Sequence, residues 1–105
     1  MPPEIRAVTL RQGERAEVVR EGEEIRVASG EFSVEVQGEA ASGAGPLTAS
    51  FFAIGGAFDP PRAVAPAALV SRWRPGGGDR IEVWVLLRDA RGGVRARAFR
   101  VRRGS

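Results

Sequence analysis

At 105 residues, with 43% hydrophobic content, the chain is long enough for a single domain and apolar enough to bury a core of its own. It holds no Cys and no His, which removes disulfides, thiolate nucleophiles, zinc clusters and the usual neutral-pH base together. All 16 basic residues are arginine, and the net charge of +3 is unevenly spread: residues 1–50 carry 9 Glu against 5 Arg, whereas residues 51–105 carry 11 Arg against 4 acids, balances of −4 and +7.

No apolar run approaches the ~18 residues of a membrane span. The opening MPPEIRAVTL lacks the charged start and apolar core of a secretory signal. That places the protein in the cytoplasm if Met1 is its native start. If the chain is a piece of a longer exported protein, it places it at the cell surface or outside. The Arg, Ala, Gly and Pro bias points to a high-GC genome, with selection for arginine chemistry as the other reading.

Period-2 alternation dominates in chain order, and helical periodicity is hard to find. Strands are predicted at Ile5–Leu10, Arg15–Arg20 and Glu24–Ala28, parted by Gly13, Gly22 and Gly30. From Glu31 to Gln37, Phe32, Val34 and Val36 share one face, the pattern of a half-buried strand. Leu47–Ile54 follows, ending at Gly55-Gly56. Pro60, Pro61 and Pro66 make 59–66 a loop or a poor edge strand. Leu69–Arg74 stops at Pro75-Gly76-Gly77-Gly78. Arg80–Arg88 sets Ile81, Val83, Val85 and Leu87 on one face, with Glu82, Trp84, Leu86 and Arg88 on the other.

A glycine-containing hairpin, residues 89–93, leads to Val94–Arg102. There Val94, Ala96 and Ala98 share a face opposite to Phe99 and Val101, so a bulge near Ala98-Phe99 is predicted to return both large side chains to the core. Residues 1–4 and 103–105 are expected to fray. Seven or eight short strands with regular turns and no βαβ spacing mean a sandwich or a small barrel.

Three stretches carry a family resemblance. GPLTASFFAIGGAF (45–58), SRWRP (71–75) and IEVWVLLRDARGGV (81–94) resemble, in order and spacing, the third strand, the Trp-bearing strand and the hairpin of PKD-like and related bacterial immunoglobulin-like repeats. The resemblance implies an all-β, immunoglobulin-like antiparallel β-sandwich with Greek-key connections. It implies that Leu47, Ala49, Phe51 and Ala53 face inward and that strands 47–54 and 80–88 are neighbours. The predicted core holds Val34, Val36, Phe51, Trp73, Ile81, Val83, Val85, Leu87 and Val101. Where some relatives carry an acidic approach to the third strand, this chain reads Ser42-Gly43-Ala44-Gly45, so no metal site is carried over.

The chemistry available is narrow. Without His, Cys, Lys or Tyr, only carboxylates and serines remain as acid, base or nucleophile. Serines 29, 33, 42, 50, 71 and 105 sit in no recognisable nucleophile elbow. Glu23 and Glu24 are adjacent and face opposite sides of a strand. Gly76-Gly77-Gly78-Asp79-Arg80 lacks the Lys-Ser/Thr pair and the helix of a phosphate loop. Asp59, Asp79 and Asp89 are isolated beside turns rather than clustered for calcium. No catalytic residue, cofactor or metal is expected.

Two features point to binding. On the facing and strand adjacency that the resemblance implies, Phe52, Ile54, Trp84 and Leu86 point outward together and form a candidate protein-contact patch for another copy or a flanking domain, bordered by Arg95 and Arg97, which would lie over Trp84. Cover by residues 57–68, or a register slip that puts these side chains in the core, are the other readings of that face. Arg95, Arg97, Arg100 and Arg102 form a candidate row for a polyanion such as an acidic polysaccharide. Nucleic acid fits less well, since stacking aromatics are missing. The bland account of the same row is cross-strand pairing with Glu14, Glu17, Glu21, Glu23 and Glu24. The function expected is a non-catalytic adhesion, spacer or interaction module, with carbohydrate or polyanion binding as the alternative.

Overall fold

The computed structural model describes residues 2–40, 45–76 and 78–104. Ser42, Gly43, Ala44, Gly77 and Ser105, which enter the readings above, lie outside the described residues. Ten strands form: β1 (Glu4–Gln12), β2 (Arg15–Val18), β3 (Glu24–Ala28), β4 (Phe32–Glu39), β5 (Thr48–Ile54), β6 (Ala57–Asp59), β7 (Arg62–Val64), β8 (Val70–Arg74), β9 (Arg80–Arg88) and β10 (Val94–Gly104). They build two five-stranded sheets, β2-β1-β4-β8-β6 and β3-β10-β9-β5-β7, packed as a β-sandwich. The adjacencies β1-β4-β8-β6 and β5-β9-β10 reproduce the A-B-E-D and C-F-G order of immunoglobulin-like sandwiches. Every pairing is antiparallel except that of β3 with β10.

The strand count exceeds the seven or eight expected, and the surplus comes from the proline-rich segment. β6 pairs with β8 at the edge of one sheet, and β7 pairs with β5 at the edge of the other. Pro60 and Pro61 fall between these three-residue strands and Pro66 after them, where the missing N–H breaks no ladder. Pairing also reaches nearer both ends than the sequence suggests: Glu4 lies opposite Glu39, and Arg103 and Gly104 lie opposite Val27 and Ala28.

All nine predicted core residues are buried, none more than 3% exposed. Trp73 stacks on its cross-strand neighbour Phe32, with ring centroids 4.8 Å apart and planes at 11°. Its indole N–H donates to the Gly55 carbonyl at 2.8 Å, so the ring is apolar to the core and satisfied at its one polar atom. Gly56 turns the β5–β6 corner beneath that ring with φ +88°. A Cβ there would sit 2.5 Å from the Arg74 carbonyl oxygen and against the indole itself, so only glycine fits. The Gln12 amide ties the two sheets at one end, donating to the Ala28 carbonyl at 2.8 Å and accepting the Ala28 N–H at 2.9 Å.

The predicted bulge at Ala98-Phe99 does not form. β10 pairs with β9 without a break from Val94↔Arg88 to Arg102↔Arg80. Phe99 and Val101 are therefore inward by strict alternation, and Arg95 and Arg97 share their parity. β3 covers β10 only from Arg100 onward, so upstream β10 is itself the edge of its sheet. Inward-facing arginines there meet solvent at the sandwich side, and Arg97 Nη1 reaches the Val19 carbonyl at 3.4 Å. The register shift that does exist lies between Ile5 and Ala7, opposite Gly38 and Gln37.

This parity gives a direct stability test. Ile81→Ala should lower the free energy of urea unfolding by about 2–5 kcal/mol, whereas Glu82→Ala next to it should stay within about 0.5 kcal/mol of the parent. Comparable losses at both positions would contradict the register.

Candidate functional site

The outer face of the second sheet is built by the even positions of β9 and their cross-strand partners. One row is Phe52–Trp84–Ala98, and the next is Ser50–Leu86–Ala96. Beyond lie Val64–Thr48–Arg88–Val94 on one side and Ile54–Glu82–Arg100–Glu24 on the other. The four patch residues expected from sequence thus share this face. Phe52 is 51% and Ile54 62% exposed, while Trp84 and Leu86 are half-buried between them and the alanines.

Residues 57–68 do not cover the patch. β6 joins the opposite sheet, and β7 extends the same sheet sideways, adding the exposed Val64 to the face. Beside Trp84 a shallow hollow of about 220 Å³ opens between the indole, Ala98, Arg100 and the turn at Gly22.

The first sheet presents a different outer face. Thr9, Arg11, Ser33, Glu35 and Arg72 alternate with the buried Val8, Leu10, Val34 and Trp73, and Arg11 pairs with Glu35 at 3.3 Å. On the first sheet a lone Val18, on the edge strand β2, is exposed, whereas the second sheet gathers exposed aromatic and branched apolar side chains on adjacent strands.

The arginine row is split by its own alternation. Arg95 lies opposite Leu87 and Arg97 opposite Val85, on the inward face, so neither borders Trp84; Ala96 and Ala98 take that place. The cation over a ring is instead Arg103, 5.1 Å from the centroid of Trp73. Arg100 and Arg102 do face outward.

Glu24 lies opposite Arg100 as the bland account requires, but among the described residues no carboxylate comes within ion-pair distance of Arg95, Arg97, Arg100 or Arg102. Glu21 accepts the Ala98 N–H at 2.9 Å and Glu23 accepts the Arg20 N–H at 2.9 Å, both serving the turn into β3. The ion pairs lie elsewhere: Arg6–Glu39, Arg11–Glu35, Arg15–Glu17, Arg72–Glu31 and Arg74–Asp59. The Arg6 guanidinium is held above its usual value by its hydrogen bond to Glu39 and then by that carboxylate's charge.

Sequence reasoning missed Val64 and Val94 on the apolar face, and Arg26 and Arg80 beside Arg102. Each could be read from strand parity once the pairings β5–β7, β9–β10 and β3–β10 are known, but those pairings are not local.

Two of the isolated acids have structural work, Asp59 in its pair with Arg74 and Asp89 in the β9–β10 hairpin. Asp89 is buried, and its Oδ1 accepts the N–H groups of Arg91 at 2.9 Å and Gly93 at 2.7 Å, closing the β9–β10 hairpin. Ser71 gives its hydroxyl to the Pro60 carbonyl. Among the described residues no three His, Cys, Asp or Glu side chains gather to hold a metal ion. Among the same residues no helix is long and apolar enough to cross a membrane.

Comparison with protein-family models finds no match, and comparison with curated proteins finds none either.

The hairpin lock is testable. Asp89→Ala leaves two N–H groups without their acceptor and should cost about 1–3 kcal/mol in urea unfolding. Asp89→Asn, which keeps a carbonyl oxygen in place, should recover more than half of that loss.

Proposed function

We propose that the chain is a non-catalytic immunoglobulin-like interaction module, of the adhesion or spacer kind, that docks a protein through the outer face of its second sheet. The observation that carries this reading is the exposure of Phe52 and Ile54 beside Trp84 and Leu86 on one face that no other segment of the described residues covers. Scattered apolar residues on a surface need no explanation, but aromatic and branched side chains joined across two adjacent strands form a patch of the kind found at interfaces.

The surroundings of the patch narrow the partner. Arg62, Arg88, Arg100, Arg80, Arg102 and Arg26 ring it on the same face, against Glu82 and Glu24. A matching surface has an apolar centre with carboxylates around it. A second copy docking face to face would bring like charges together, so a flanking domain or a separate acidic protein fits better than a homodimer. The resemblance to PKD-like repeats of bacterial surface and secreted proteins agrees with a module that works beside other domains.

Site-specific photo-crosslinking in the cells that make the protein tests this. A benzoylphenylalanine at position 52 should give a discrete adduct that Ile54→Asp suppresses at least fivefold, while the same group at position 35, on the polar face, gives none. Equal labelling from both faces, or an adduct at 52 indifferent to Ile54→Asp, would overturn the docking face.

A further inference from the structure

One end of the same sheet face carries an arrangement that the apolar patch does not explain. Arg102 lies directly opposite Arg80 on one side and Arg26 on the other, so three arginines stand abreast across β3, β10 and β9. Directly opposed cross-strand side chains have Cβ atoms about 4.5–5.5 Å apart, and like charges in such a row repel. In the adjacent row the sequence alternates sign, Glu24–Arg100–Glu82, as ordinary surface design would have it. The triple-Arg row does not.

The three side chains line one hollow of about 330 Å³ with Arg103, Val27, Gly104 and a single acid, Asp79. Among the described residues no carboxylate lies within ion-pair distance of Arg26, Arg80, Arg102 or Arg103. The Asp79 backbone carbonyl is already taken by the Arg103 N–H at 2.7 Å, and the Gly78 carbonyl accepts from Arg103 Nη2 at 3.2 Å. Arg103 is held by that bond and by the Trp73 ring, yet its Nε is buried with no acceptor among the described residues. Three guanidinium-bearing side chains, Arg26, Arg80 and Arg102, thus share the outer face at this hollow, while Arg103 borders it from the inward parity of Phe99 and Val101 and turns its own guanidinium over Trp73.

We propose that the hollow lined by Arg26, Arg80, Arg102 and Arg103 binds a tetrahedral oxyanion, a phosphate or sulfate group. Guanidinium forks match such a group through paired N–H donors, and one anion between three cations removes the repulsion that the free row carries. The group is either a free ion or an ester on a sugar. The site shares Arg26, Arg80 and Arg102 with the rim of the docking face, but it needs none of Phe52, Ile54 or Leu86.

Titration with inorganic phosphate and with inorganic sulfate, followed by the arginine Nε–H resonances at ionic strength held constant with chloride, tests it. Saturable shifts at Arg26, Arg80 and Arg102 are expected, with millimolar or tighter dissociation. Arg102→Gln should weaken binding at least tenfold and Arg95→Gln, on the opposite face, leave it unchanged. Phosphate should raise the melting temperature of the parent but not of Arg102→Gln, because an anion bound only by the folded state stabilises it. If Arg102→Gln fails to fold, the exposed Arg80→Gln carries the same comparison.

A sulfated monosaccharide binding more tightly than inorganic sulfate assigns the group to a glycan, and the reverse order assigns it to the free ion. The proposal fails if the shifts follow ionic strength alone, or if both glutamine variants bind phosphate as the parent does. Ile54→Asp should leave phosphate binding intact, so loss of the docking face and loss of this site are separable.

Discussion

The alternation of β9 is the constraint from which the rest of the molecule follows. This strand is paired along its length with β10 on one side and β5 on the other, and both ladders run without a break. Ile81, Val83, Val85 and Leu87 are at most 1% exposed. Burying each contributes about 1.5–3 kcal/mol, so sliding the strand by one residue, which would turn all four outward, costs as much as the whole net stability of a typical domain. The same alternation leaves Trp84 and Leu86 nowhere to go but the outer face, where Phe52 meets them from β5 and Ala98 and Ala96 from β10.

Much of this was legible from local pattern. β3 and β9 begin and end where the sequence places them, because clean alternation bounded by glycines leaves little choice. The outward facing of Trp84 and Leu86 follows from the same alternation, whereas placing Phe52 and Ile54 beside them rests on the family resemblance, which makes the two strands neighbours. β10 was misjudged because its small residues Val94, Ala96 and Ala98 were assigned to the core side and a bulge was invoked to rescue Phe99 and Val101. In the structure the two large side chains set the parity, and the arginines that share it are tolerated because the strand leaves its neighbour β3 upstream of Arg100. β6 and β7 were hidden by prolines, which forbid a central strand but not two three-residue edge strands.

The arginine site was not legible at all. Arg26 and Arg80 lie 54 residues apart in sequence, and only the parallel pairing of β3 with β10 brings both beside Arg102. The expected internal neutralisation also fails for a topological reason. The Glu-rich segment does approach β10, but Glu21 and Glu23 are spent on backbone N–H groups at the turn, and Glu24 faces Arg100 one row away from the unpaired cluster. Ion pairs concentrate on the first sheet and its edges, so the two outer faces differ in kind: one polar and internally paired, the other apolar at its centre and cationic around it. Short, charged or proline-flanked edge strands on both sheets keep that second face, rather than an open edge, as the surface available for contact.

The two tryptophans allow the register of β9 to be measured in solution. Trp73 is wholly buried, whereas Trp84 faces outward and is only partly covered. Single-tryptophan proteins made by Trp84→Phe and Trp73→Phe should therefore differ in acrylamide quenching of the dilute monomer: the one retaining Trp84 quenched several-fold more efficiently and emitting further to the red. Emission from Trp84 as blue and as protected as that from Trp73 would place its indole between the sheets and contradict the account.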